Sequence, residues 1–343
     1  MNRFAWRQHR KQFLIMGVAL ALFAALVIPT GLHFWHVYQQ ALTTCKQNPA
    51  TPSCGDLSGN LLQSNIDQTL LHLLPLSVIL LPLVFGMFWG APLLAKEYAE
   101  GTNSLTWTQS VSRRKWLTVK LAWVLFATAL FLGAFAALTT WWSKTPNTLN
   151  LNRFGVEAFF ASQGLVPVAY GLFAVAFGIM FGAWFRKTMV AVGLVLGLFV
   201  ACTLVTVPNF VRPHYMVPIT VTAPMGPNLL DNKIPAGAWT VSRNIVDKNG
   251  KTLNSFSPSD MPTQCAQLTQ DIRVPDGSRV AKLKASGIDP VDDCLNNAGY
   301  HQIGKYQPAT RYWDFQRIES GIYLGLAALA VCATYWLVLR RDA

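Results

Sequence analysis

Apolar residues in this chain come in uninterrupted blocks, not in the alternation that marks a half-buried strand or the stripe that marks a surface helix. Six stretches carry few or no charges: Phe13 to Trp35, Leu70 to Leu94, Leu117 to Trp142, Phe159 to Phe185, Met189 to Val207 and Ile318 to Leu339. Each is close to the ~20 residues that a helix needs to cross the ~30 Å hydrocarbon core of a bilayer. The pattern predicts a polytopic α-helical membrane protein with transmembrane helices at 13–36, 69–94, 117–142, 159–185, 188–207 and 318–339. Polar segments at 1–12, 37–68, 95–116 and 208–317 fill the gaps. Trp35, Trp141, Trp142, Trp184, Tyr312, Trp313 and Trp336 fall near the ends of these spans, where amphipathic rings settle at the headgroup level. The ionisable residues also sit close to span ends, and His72 is the deepest titratable group.

Composition agrees with the pattern. The 343 residues are 52% hydrophobic and 13% charged, against about 25% charged in an ordinary soluble domain. A soluble metabolic enzyme, a disordered chain and a disulfide-only miniprotein are excluded. The net charge of +12 is then a matter of topology, and nucleic acid is not expected as a partner. With the amino terminus placed inside, 13 of the 28 bases but only three of the 16 acids fall on the cytoplasmic side, for +10 there and +2 outside. Positive residues mark cytoplasmic loops, so both termini are expected in the cytoplasm of a multi-pass plasma-membrane protein. The basic segment Arg3 to Lys11 before the first span, with Ala19-Leu20-Ala21 behind it, has the look of a secretion signal, but the apolar run of about 23 residues is too long for one. It reads as a retained anchor, with 1–12 as a short interfacial helix facing lipid headgroups.

The six cysteines divide by this topology. Cys45 with Cys54, and Cys265 with Cys294, are the simplest pairings in the two outer segments, whereas Cys202 and Cys332 lie within spans as packing residues. No spacing suits a metal site. The outer segment 208–317 is too long for a structureless loop and should fold as a small mixed α/β insert. Trp239 to Val246 and Thr252 to Phe256 flank Asp247-Lys248-Asn249-Gly250-Lys251, a hairpin signal centred on Asn-Gly, and short helices are expected at 278–285 and before Cys265. Gly250-Lys251-Thr252 imitates the end of a phosphate loop, but Ile245 stands where its leading glycine belongs.

Four spans carry glycines four residues apart: Gly86 and Gly90, Gly178 and Gly182, Gly193 and Gly197, Gly321 and Gly325. Such pairs let helix backbones approach closely, either within one bundle or between subunits. Pro75, Pro82, Pro92 and Pro167 should bend the second and fourth spans. No span has a carboxylate near its middle, and no nucleophile elbow, zinc motif or Walker motif is present. Any uphill movement must draw its energy from another chain.

The inner segment 95–116 begins with Glu97 and Glu100, breaks at Gly101-Thr102, passes Leu105 and ends in the basic Ser112-Arg113-Arg114-Lys115 before Lys120. In these residues the chain resembles the ABC-2 type permeases, transmembrane subunits of ABC exporters. The stretch Tyr306 to Trp313 with Gln316, Glu319 and Gly321 looks like the version found in actinobacterial-type permeases. The resemblance implies six spans, a dimer of ABC ATPase subunits as partner, and a second permease subunit, identical or homologous. It implies no cofactor on this chain; ATP and Mg would be bound by the ATPase. It also implies that 95–116 is a coupling loop, with Glu97, Glu100, Gly101, Thr102, Arg113 and Arg114 as its contact or orienting residues. Cargoes of such permeases include antibiotics, peptides, lipids and polysaccharides, and the uncharged spans favour an amphiphilic or apolar one. The competing reading is a membrane-anchored receptor or assembly factor that binds a ligand through its outer insert. The outer insert is larger than the short re-entrant helices usual in the family.

Overall fold

The structure is a computed structural model, and it describes residues 2–47, 65–100, 112–145, 153–253, 261–270 and 289–340. Among the described residues, six helices are long and apolar enough to cross a membrane. Helix α1, Asn2–Gln47, is continuous for 46 residues, so the segment expected as a separate interfacial helix runs on into the first span. At 1.5 Å per residue it is roughly 70 Å long, more than twice the hydrocarbon thickness. The second span is built from α2, Asn65–Phe85, a π-helical turn at Gly86–Gly90 and α3, Ala91–Ala99. The third is α4, Arg113–Trp142. The stretch expected as one fourth span is divided into α5, Glu157–Ser162, and α6, Val166–Phe185. The fifth is α7, Thr188–Phe199, prolonged by a 12-residue π-helix, Val200–Val211, that passes through Pro208.

Chain contacts divide the protein into residues 1–215 with 313–343, and residues 216–312. In the first unit α6 is the hub: most of its side chains are buried, whereas few of those described in α1 are. The reason is legible at the glycines. A Cβ on Gly178 would lie 2.7 Å from the Gly86 carbonyl oxygen, and one on Gly182 2.6 Å from that of Ala91. A Cβ on Gly90 would meet the Val175 carbonyl oxygen at 2.7 Å. The second and fourth spans therefore touch backbone to backbone, through small residues on both sides, as close helix packing in lipid requires. The other two glycine pairs behave differently: a Cβ at Gly193, Gly197, Gly321 or Gly325 would meet nothing within 4 Å. A second cluster, in which Val27, Phe34, Leu71, Leu74, Trp142 and Phe159 are buried, ties α1 to the second and third spans.

The second unit holds a four-stranded antiparallel sheet in the order β1-β4-β2-β3, with β1 at Ile219–Pro224, β2 at Trp239–Val246, β3 at Thr252–Leu253 and β4 at His301–Gln307. Between β2 and β3 the Asp247 carboxylate accepts from the Asn249 and Lys251 amides while Gly250 takes φ +80°, which closes the expected hairpin. Helices α8, Thr263–Gln270, and α9, Pro290–Asn297, cover a small core of Met225, Cys265 and Leu295. Residues 278–285 lie outside the described residues.

Cys265 and Cys294 form a disulfide across 29 residues of sequence. Cys45 is also disulfide-bonded, and Cys54 lies outside the described residues. Cys202 and Cys332 are free thiols. Replacing Cys265 and Cys294 by Ser is expected to cost the second unit about 3–4 kcal/mol through the freer unfolded chain. Thermal unfolding of the full chain, followed by near-ultraviolet circular dichroism with and without reductant, checks it: the parent should unfold at the higher temperature without reductant, and the two should unfold alike when both are reduced.

Candidate functional sites

Two polar clusters stand out in the membrane unit, one at each end of the bundle. The first surrounds the loop between the second and third spans. Lys120, 8% exposed, donates to the Glu97 carboxylate and lies 4.5 Å over the Trp116 ring. This pair ties the last turn of α3 to the second turn of α4. The Ser112 side chain caps α4 by accepting from the Lys115 amide, as an N-cap serine does. The short turn from the fourth span to the fifth joins the same cluster: Arg186, at φ +55°, closes α6 and sets its guanidinium 4.9 Å over the Tyr98 ring. Thr118 and Tyr335 share a 2.8 Å hydrogen bond between α4 and α10, Tyr312–Arg340. Of the residues expected to act in this loop, Glu97 is half-buried against Lys120, and Glu100 pairs with Lys96 at 3.7 Å on the surface. Arg114 is exposed, Arg113 partly so, and Gly101 and Thr102 lie outside the described residues.

The second cluster lies where the chain leaves the bundle for residues 216–312 and returns from it. Arg212 and Glu319 are 2% and 0% exposed. The Arg212 Nε donates to Glu319 Oε2 at 2.7 Å and its Nη2 to Oε1 at 2.6 Å, a bidentate fork. The Tyr170 hydroxyl donates to Oε1, the Tyr215 hydroxyl reaches Oε2 at 3.2 Å, and the Phe160 ring underlies the guanidinium at 4.2 Å. Burial, and then the Glu319 carboxylate beside it, push the Tyr215 hydroxyl well above its ordinary range, which keeps it a donor. Both carboxylate oxygens thus have two donors each in a place where water is scarce, the condition for keeping charge there.

One turn earlier on α10, Gln316 repairs the break between α5 and α6. Its Oε1 accepts from the Leu165 and Val166 amides at 3.0 and 3.1 Å, and its Nε2 donates to the Phe160 carbonyl at 2.9 Å. Gly164 provides the turn, with φ +67° and its amide on Thr140 Oγ1 at 3.1 Å. Non-helical backbone at membrane depth needs such internal partners.

Sequence reasoning placed Arg212 in the outer insert and Glu319 at a span end, and so missed their pairing. The structure brings Arg212 into the membrane unit and ends the separate unit at 216–312 instead of 208–317. The available signal was the spacing Gln316, Glu319 and Tyr323, one face of the last helix. The protein family described as ABC-2 membrane transporter related matches residues 17–212, more than half of the chain. No curated protein matches it.

Proposed function

The chain belongs to the ABC-2 membrane transporter related family, and we propose that it is the permease subunit of an ATP-driven exporter. It moves an amphiphilic or apolar cargo outward, with ATP hydrolysed on a separate ATPase dimer and a second permease subunit beside it. The observation that carries this is the loop-end cluster: Glu97–Lys120, Tyr98–Arg186 and Thr118–Tyr335 bind the ends of spans two to six around residues 95–116. A push on that loop would be passed to several spans at once, because these contacts join the ends of spans two, three and six and the turn from the fourth to the fifth.

Glu100→Ala combined with Arg113→Ala tests the coupling role. Glu100 is exposed and Arg113 partly so, and substitutions at such positions change stability little, so yield and membrane insertion should be unchanged. The rate of ATP hydrolysis in the complex with its ATPase should fall roughly tenfold. Unchanged hydrolysis in an assembled complex would make the loop a plain connector.

Orientation follows from the same reading: 95–116 and both termini inside, 216–312 outside. A cysteine at Asn249 should react with an impermeant maleimide on intact cells, and one at the exposed Arg114 should react only after permeabilisation. The reverse pattern would refute the inside-outside assignment.

A further inference from the structure

The cluster around Arg212 and Glu319 lies at the opposite end of the spans from the loop to which coupling is assigned. Stability is a weak reason for it. Removing two ions from water costs several kcal/mol each, so a buried pair gains little over apolar side chains of similar volume. What the pair adds is one defined contact between elements distant in sequence: α6 through Tyr170, the fifth span through Arg212 and α10 through Glu319.

Two further observations mark this contact as movable. Arg212 is carried at the end of the π-helix Val200–Val211. Such backbone normally occurs as single-turn bulges, often at functional sites. Rewinding any part of a 12-residue run to α geometry turns everything beyond it about the helix axis and carries the guanidinium off Glu319. Behind the pair, the faces of the fifth span and α10 are not lined by apolar groups alone. The Thr203 and Tyr323 hydroxyls are buried beside one another, and Ser320 Oγ is buried with no hydrogen-bond partner among the described residues. Hydroxyls in such a place serve poorly as packing and well as the lining of a space that takes in water or a polar cargo group when it opens.

We propose that the Arg212–Glu319 pair is the outer gate of this permease, a clasp closed in this structure that must part for cargo to leave. The proposal rests on the permease reading above. It assigns gating to this chain's fourth, fifth and sixth spans, with Tyr170 and Tyr215 as positioning residues.

The test places a reporter cysteine behind the clasp. In the full chain with Cys202 and Cys332 changed to Ser, T203C is reconstituted in nanodiscs with the ATPase that copurifies, and a charged methanethiosulfonate reagent is the probe. Labelling should be slow without nucleotide and roughly tenfold faster during ATP hydrolysis, as a gate changing its open population demands. Arg212→Met with Glu319→Leu, added to the same background, should keep the fold but leave Thr203→Cys slow to label with or without ATP. Labelling that ignores ATP while hydrolysis runs would overturn the gate and leave the permease reading standing. So would a Met–Leu variant that opens like its parent. If no ATPase copurifies and no hydrolysis is measured, the permease reading fails, and the gate falls with it.

Discussion

Glu319→Leu alone is expected to destabilise the membrane unit by about 3–5 kcal/mol, the usual consequence of leaving one half of a buried ion pair without its partner. The guanidinium of Arg212 would lose both carboxylate bonds while keeping the 3.4 Å contact to the Tyr170 hydroxyl and the Phe160 ring, and the Tyr170 and Tyr215 hydroxyls would lose their shared acceptor. Adding Arg212→Met should restore most of the loss, because the remaining charge then disappears along with its desolvation. Unfolding of the purified chain by a denaturing detergent, compared across the four members of this double-mutant cycle, reads both effects. Equal stability of Glu319→Leu and its parent would mean that the pair is hydrated and not buried. Failure of the double variant to recover would mean that the pair is indispensable for stability, contrary to its assignment as a gate.

Gly178→Leu should be nearly as harmful, for a different reason. Its Cβ would lie 2.7 Å from the Gly86 oxygen and 2.8 Å from the Ala91 nitrogen, both backbone atoms that cannot turn aside. The second and fourth spans would have to separate, and overpacking of this kind costs about 3 kcal/mol or more. Gly321→Leu is the matched control. It adds the same side chain to an exposed helix face with nothing within 4 Å, so the purified chain should keep its unfolding midpoint. Equal effects of the two substitutions would show that the contact between the second and fourth spans is not as close as described.

The ion pair and the glycine contact both lie beyond what the sequence conveys. The spans themselves were legible, because an uncharged apolar run of that length matches the thickness of a bilayer, and a helix is the form in which a single run can cross it. The Asn-Gly hairpin was legible because its chemistry is local: Asp247, Asn249 and Gly250 carry the turn by themselves. The four glycine pairs look alike in sequence, yet two of them face each other and two have open space before them, and only the direction of each helix decides which. The Arg212–Glu319 pair joins residues 107 apart in sequence. Taken singly, Arg212 reads as a residue of the outer segment and Glu319 as a charge at a span end. The fifth span was expected to end at 207, but the π-helix runs on through Pro208 to Val211 and delivers Arg212 to the bundle. The division of the fourth span was hidden because the side chain that repairs it, Gln316, lies 150 residues away from the amide of Val166.

The loop-end cluster was half legible. The order of acid, Gly-Thr and basic residues pointed to 95–116, and Lys120 was among the residues that carried the family resemblance. The burial of Lys120 against Glu97 and Trp116 was not readable, because it depends on how the ends of α3 and α4 meet.

The measurement closest to the central claim is nucleotide hydrolysis by this chain with its partners. Purified at full length from its own membranes in a mild detergent and placed in nanodiscs, it should bring with it an ATPase bearing a phosphate loop and an ABC signature. The complex should hydrolyse ATP in a vanadate-sensitive manner, and Glu100→Ala with Arg113→Ala should lower that rate without loss of the complex. A chain recovered intact without any such ATPase, whose 216–312 unit instead retains a ligand or partner, would contradict the permease assignment and favour a membrane-anchored receptor.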